Sequence, residues 1–247
     1  GRAAFRTPHA SRVGRTLCED MFMFNPRPHI QVIPIDDSHD CYVIDDALVQ
    51  PELLVDYALR RHDDFVMAPH NAFPGLELRM PDEFSARLDD FFRLHVRARL
   101  GARRTQRMYS RLSMVTLPPE QLQPRQSLCH RDRLNFAANQ CIAASLLYLF
   151  KDDTLGGTSF FAPRKDMQDI DRLLIDSALL DAGEFARVHG VVPRYMTESN
   201  EWFEKLLTVP AKWNRLVFYD GSLFHSGHIT EPGKLGADPA TGRLTLN

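Results

Sequence analysis

Cysteine is scarce and shows no pairing pattern. Cys18, Cys41, Cys129 and Cys141 are the four in 247 residues, and none forms a Cys-x-x-Cys pair. This excludes a disulfide-built scaffold and makes reduced thiols and a cytoplasmic location the expectation. No apolar run approaches the roughly 20 residues of a membrane helix. The opening segment carries Arg2, Arg6, Arg12 and Arg15 but no apolar core of a secretion signal. Charge of one sign is also missing: 30 basic against 32 acidic residues leave a net charge of −2. Phosphate-binding domains are usually strongly basic, so nucleic acid is not expected as the main partner. The only basic cluster of note, Arg103-Arg104-Thr105-Gln106-Arg107, reads as a solvated face or a substrate-side charge. Gly-x-Ser-x-Gly and His-Glu-x-x-His are absent, which removes the usual nucleophile and zinc-hydrolase signatures. Gly156-Gly157 is too short to cradle a phosphate and reads as a turn. No internal repeat or low-complexity tract occurs.

With 44% hydrophobic and 25% charged residues, the remainder is ordinary globular sequence. Residues 1–28 are expected to form a flexible arm, or a segment docking on the domain or on a second subunit. Residues 29–247 are expected to form one domain. His29–Ile35 and Cys41–Ile44 read as strands around the Asp36-Asp37-Ser38 turn. Helical support follows over 45–101. One helix opens at Pro51-Glu52 and closes in Arg60-Arg61. After a loop over Asn71–Met80, a second opens at Pro81-Asp82-Glu83, holds Arg97 and Arg99 in its last turn and stops at Gly101. Core strands are expected over 107–162 and 213–247. Met108–Leu117 alternates, with Leu112 and Met114 on one face and Arg111, Ser113 and Val115 on the other. Cys141–Phe150 is apolar throughout, as in a strand buried on both faces. Between these lies an expected helical insertion, 163–210, with helical spacing over Met167–Phe185 and Glu198–Leu207. We expect it to form a wall or lid. The fold class is therefore α+β with a mainly β core, a double-sheet jelly roll backed by N-terminal helices. Arg243–Leu246 reads as the last strand, and a sequence that stops there leads to the expectation that the natural chain continues.

The chemistry concentrates in His130-Arg131-Asp132, then Phe224-His225, then Gly242-Arg243-Leu244-Thr245. In an extended chain residues i and i+2 share a side, so His130 and Asp132 reach one ion while Arg131 points away. Two imidazoles and a carboxylate suit a non-haem ferrous ion with open positions. Arginine offers a cationic fork that a dicarboxylic acid can take at its far end. His228 competes with His225 as third ligand. Cys129 reads as a packed strand thiol, since adjacent strand residues face opposite ways.

Five elements in order carry a resemblance: His130-x-Asp132, the strand Ala144–Leu149, Gly156-Gly157-Thr158-Ser159-Phe160, the strand-turn-histidine segment Asn214–His225, and Arg243-x-Thr245. Over Met108–Asn247 the chain resembles the 2-oxoglutarate and iron(II)-dependent oxygenases, particularly the branch similar to prolyl 4-hydroxylases. The resemblance implies a double-stranded β-helix, with His130, Asp132 and His225 as catalytic iron ligands. Arg243 and Thr245 would bind the distal carboxylate of 2-oxoglutarate. The eighteen positions from His225 to Arg243 are longer than the family's habit and leave Lys234 as an alternative carboxylate partner. Arg111, Ser113 and Asn139 are candidates for the other end of 2-oxoglutarate.

The resemblance further implies Fe(II) with 2-oxoglutarate and O2 as cosubstrates, the 2-oxoglutarate leaving as succinate and carbon dioxide and one oxygen atom entering the substrate. Asp132 fills a position that is a small residue in related halogenases, so hydroxylation of a C–H bond is expected over halogenation. The expected substrate is a small polar metabolite, such as an amino acid or peptide-derived natural product. Tyr195, Trp202 and Phe203 are candidates for lining its pocket. A protein side chain is the second choice, and an inert jelly-roll metal- or ligand-binding module the third. No membrane partner is expected. A homodimer is compatible with the sequence.

Overall fold

The computed structural model describes residues 22–67, 72–132, 137 and 139–247. The larger part of the expected arm, 1–21, lies outside the described residues.

The first two strands, β1 (Ile30–Pro34) and β2 (Asp40–Ile44), pair antiparallel. The Asp36 carboxylate closes their turn by accepting from the Ser38 amide at 2.8 Å. Helix α1 (Glu52–Arg60) follows and buries Leu54 and Ala58. After β3 (Val66–Met67) and β4 (Gly75–Arg79) comes α2 (Asp82–His95), with Asp82 and Glu83 at its positive end and Phe84, Leu88, Phe91 and Phe92 buried. The remaining elements are β5 (Arg111–Val115), β6 (Ala143–Tyr148), β7 (Thr158–Pro163), α3 (Met167–Leu179), α4 (Ala182–His189), β8 (Phe203–Val209), β9 (Leu216–Asp220), β10 (Phe224–Gly227) and β11 (Arg243–Leu246).

The strands form two antiparallel sheets. The larger has the order β1-β2-β9-β6-β11-β5-β4-β3 and the smaller β10-β7-β8. Strand alternation sends side chains of the large sheet to two different cores. Ile44, Leu112, Met114, Leu147, Leu216, Leu244 and Leu246 meet α1 and α2 on one face. Val43, Tyr148, Val217 and Tyr219 meet Phe160 and Val209 of the small sheet on the other. The outer face of the small sheet is covered in turn by α3 and α4 through Phe161, Ile170, Leu173, Phe185 and Phe203. The fold is α+β with predominantly antiparallel β content. Among the described residues no helix is long and apolar enough to cross a membrane.

Several sequence expectations change. The stretch 71–80, expected as a loop, contains β4, because Leu76 and Leu78 alternate and the segment pairs along the whole length of β5. Helix α2 ends at His95, so Arg97 and Arg99 fall in the turns beyond it. Strand β6 is buried only at Leu147 and Tyr148, since its first half opens onto a cavity. The helix expected over Glu198–Leu207 is replaced by β8. There the Asn200 carboxamide accepts from the Trp202 and Phe203 amides, turning the chain into a strand that pairs with β7. Core strands thus extend into the expected insertion 163–210, and its helical part is limited to α3 and α4. At the other end, Phe22 packs edge-on against Phe84, and Phe24 stacks on Phe91 at 4.9 Å.

Candidate metal centre

His130 sits just outside the small sheet, in extended backbone held by one antiparallel bridge. Its amide donates to the His225 carbonyl at 2.9 Å, and the His225 amide returns a bond at 2.8 Å. This bridge sets the two imidazoles side by side, with ring centroids 4.4 Å apart. Two residues on, the Asp132 amide donates to the Gly221 carbonyl at 2.8 Å, anchoring the segment to the β9–β10 turn. One ligand atom from each of His130, Asp132 and His225 then lies within 4.8 Å of the others. Gly221 permits this closeness: a Cβ there would stand 2.7 Å from Asp132 Oδ2.

His225 is oriented by its own turn. Its Nδ1 lies 2.8 Å from the Leu223 carbonyl, which can only accept. Nδ1 therefore carries the proton, and Nε2 keeps a free lone pair for a metal. Tyr219 packs edge-on against the same ring at 4.9 Å. Both imidazoles are held neutral. His130 borders the cavity and keeps accessible surface there, yet the protein around it still desolvates a charge. Its pKa falls to about 3, with His225 and Arg111 adding to the effect. Burial also lowers the pKa of His225, against the opposing pull of the Asp132 carboxylate and the Leu223 carbonyl. A pair of neutral imidazoles with one carboxylate is the donor set expected for a ferrous ion, and it fits the arrangement here.

Between His130 and Asp132, Arg131 stacks over the Phe224 ring at 5.1 Å and pairs with Asp171 of α3 at 3.5 Å. The metal segment is thereby tied to the helices behind the small sheet. Cys129 is buried, and burial pushes its thiol pKa well up.

Arg243, on β11, is buried. Its Nε donates to the Leu155 and Gly156 carbonyls at 3.1 Å each, and Nη2 donates to Gly157 at 2.9 Å. Gly156 adopts φ +95°, which frees the turn to present these carbonyls. All three partners are neutral, and no carboxylate pairs with Arg243 among the described residues. Burial lowers its pKa from the ordinary arginine value. The fork retains N–H groups beyond these contacts, so a buried cation is available to an anionic ligand. Thr245, two residues along the same strand, is also buried and makes only a long contact, 3.4 Å, to the Ser113 carbonyl.

His130, Asp132, His225, Arg243 and Thr245 all line one cavity of about 1380 Å³. The alternatives fall elsewhere. His228 points to the Ser159 hydroxyl at 3.0 Å, outside the metal cluster. Lys234 is bound to Glu231 and to Thr154 Oγ1 at 2.8 Å and does not line the cavity. Arg111 and Asn139 line it and Ser113 does not. Of the three aromatic candidates only Tyr195 lines it, because Phe203 faces the α3–α4 core and Trp202 donates to the His189 carbonyl. Helices α3 and α4 do not cover the cavity. The wall comes instead from the linker after them, through Tyr195 and Met196. Sequence reasoning missed Met196, whose sulfur accepts from the Cys129 amide. It also missed Gly221, where a glycine one turn before the histidine was the available signal.

The chain belongs to a family described as a family of unknown function, DUF6445, whose model matches residues 26–247. No curated protein and no solved structure matches the chain.

Proposed function

We propose that this protein is an Fe(II)- and 2-oxoglutarate-dependent dioxygenase that hydroxylates a C–H bond of a small polar metabolite. One observation carries this: His130, Asp132 and His225 converge in the same cavity as a buried arginine with no acidic partner among the described residues. The strand order supports the accompanying jelly-roll assignment. β9, β6, β11 and β5 are consecutive neighbours in the large sheet, and β10, β7 and β8 face them. The His130 segment, bridged to β10, would take the place of the small sheet's fourth strand.

Iron bound with 2-oxoglutarate and O2 would supply the oxidising power, giving succinate and carbon dioxide beside the hydroxylated product. The chain's own residues do the rest. His130, Asp132 and His225 would hold the metal from one side, leaving the cavity side open. Arg243 would fork onto the distal carboxylate of 2-oxoglutarate, with the Thr245 hydroxyl turning from its long Ser113 contact to add a second donor. Asp132, as a carboxylate ligand, occupies the space a halide would need, which favours hydroxylation. Tyr219 stays a neutral phenol: burial pushes its pKa well up, and the Asp132 charge adds to the shift. It packs the His225 ring and is unsuited to act as a base.

Anaerobic addition of Fe(II) and 2-oxoglutarate should produce the weak visible charge-transfer band of such a complex. Exposure to air should then release succinate. A band without succinate across a broad panel of polar metabolites would favour an inert binding module. Absence of the band would overturn the assignment.

A further inference from the structure

The cavity has a second cationic pole that the cosubstrate does not explain. Arg103, Arg104, Arg107 and Arg111 line it in addition to Arg131 and Arg243. Among the described residues its acidic lining is Asp132, placed with the candidate metal ligands, and Asp89. Asp89 accepts from the Thr105 hydroxyl at 2.6 Å, which pins the arginine segment to α2. Arg111 is partly neutralised by Glu77 at 2.8 Å. Arg103, Arg104 and Arg107 are exposed, and no carboxylate pairs with them among the described residues.

The two poles lie at opposite ends of β6. At its far end, the Leu149 amide donates to the Leu244 carbonyl, beside Arg243. At its near end, the Ile142 carbonyl accepts from the Gly221 amide, beside Asp132. The arginine segment joins this near end, because the Gln140 carboxamide donates to that of Gln106. The Arg243 side chain runs back from the far end toward the cluster, its Nη2 3.6 Å from where a Cβ on Gly227, two residues beyond His225, would stand. A diacid spanning Arg243 and the candidate metal ligands therefore leaves the near pole free, at the Asp132 side of the cluster.

We propose that this pole selects the substrate: a small organic anion whose carboxylate or phosphate is held by Arg103, Arg104 and Arg107, with its target C–H bond toward the metal cluster. The proposal rests on the oxygenase assignment for the reaction, though not for the anion preference. A macromolecular polyanion fits less well. The arginines belong to one short segment of a cavity wall, in a chain of net charge −2.

The test uses the intact protein, loaded anaerobically with Fe(II) and saturated with 2-oxoglutarate so that Arg243 is occupied. O-phospho-L-serine and L-glutamate are titrated calorimetrically against L-serine and L-glutamine. The anionic probes should bind at least about tenfold more tightly than their neutral counterparts, and less so at high salt. Tight binding of phosphoserine alone assigns a phosphate substrate, and comparable binding of both assigns oxyanions in general. Combining Arg103→Gln, Arg104→Gln and Arg107→Gln should abolish the preference while leaving the charge-transfer band and the melting temperature unchanged. Anionic probes that bind no better than neutral ones, or a preference that survives the triple substitution, would overturn the proposal. An anion preference in a protein that shows no band would instead overturn the oxygenase assignment and leave the arginine pole standing.

Discussion

Gly221→Ala should weaken metal binding without unfolding the protein. The added Cβ would lie 2.7 Å from Asp132 Oδ2 and 2.9 Å from Ile142 Cγ2. Ordinary contact needs about 3.5 Å, so the carboxylate must retreat by roughly 0.8 Å. Metal–ligand bonds tolerate only about 0.2 Å, so the displacement exceeds what the site can absorb. Both obstructing atoms belong to side chains, and the Asp132–Gly221 backbone bond is untouched. The fold therefore survives while the ligand moves. Overpacking costs about 1–3 kcal/mol, and replacing glycine recovers about 0.4–1 kcal/mol through the unfolded chain, so the net loss is about 1 kcal/mol or a little more. Disturbing a group that orients a ligand typically costs 10–100-fold in metal affinity, or about 1.4–2.7 kcal/mol. Fe(II) affinity measured by chelator competition, alongside urea unfolding of the metal-free protein, separates the two effects. In an Asp132→Ala background the glycine substitution should add nothing further, as coupling through a single carboxylate requires. Wild-type affinity in Gly221→Ala, or an equal further loss without Asp132, would refute this account of the site.

Local chemistry made much of the fold and the site legible, and tertiary pairing decided what was missed. β11 was readable to the residue, because Arg243 to Leu246 is a short alternating run stopped by Gly242. The proximity of His130 and Asp132 was readable because the i, i+2 rule needs only extended backbone. That backbone proved to be a single bridge to His225, with no continuous strand. β8 was misread because Trp202, Phe203, Leu206 and Leu207 satisfy helical spacing as well as they fit a strand. The open edge of β7 and the Asn200 turn decided between them. β4 was hidden behind Pro74-Gly75, a turn signal that here begins a strand. Sequence favoured His225 over His228, and the structure separates the two by one local partner and one distant one. Leu223 orients His225, whereas Ser159 holds His228. The arginine pole was visible only as a charge run, since nothing in the sequence told that Gln106 meets Gln140.

Arg243→Lys keeps the charge but cannot span the Leu155, Gly156 and Gly157 carbonyls. It should raise the 2-oxoglutarate dissociation constant by about tenfold or more with iron affinity unchanged, as read by titrating the charge-transfer band. Among the described cysteines only Cys141 is exposed. Brief alkylation of the native protein followed by peptide mass spectrometry should therefore modify Cys141 and spare Cys41 and Cys129, and burial further protects Cys41 by pushing its pKa to about 11. Asp45 ties the β2 end to the start of β9 and should make stability depend on acid. Its carboxylate bonds Arg215 Nε at 2.7 Å and Lys212 Nζ at 2.8 Å. The Arg215 bond is the main cause lowering its pKa to about 2, against an opposing contribution from burial, with Lys212 adding to the fall. An unfolded aspartate titrates near 3.9, so the folded state holds its proton less tightly. The stabilisation is then complete above about pH 4 and disappears as pH falls through about 2. The side chain is about a third exposed (34%), so solvent screening limits the contribution to about 1 kcal/mol or less. Urea unfolding of Asp45→Asn and wild type should differ by that amount at pH 7 and pH 4 and converge near pH 2. A difference that persists at pH 2, or that appears only in acid, would contradict the ion-pair origin of the effect.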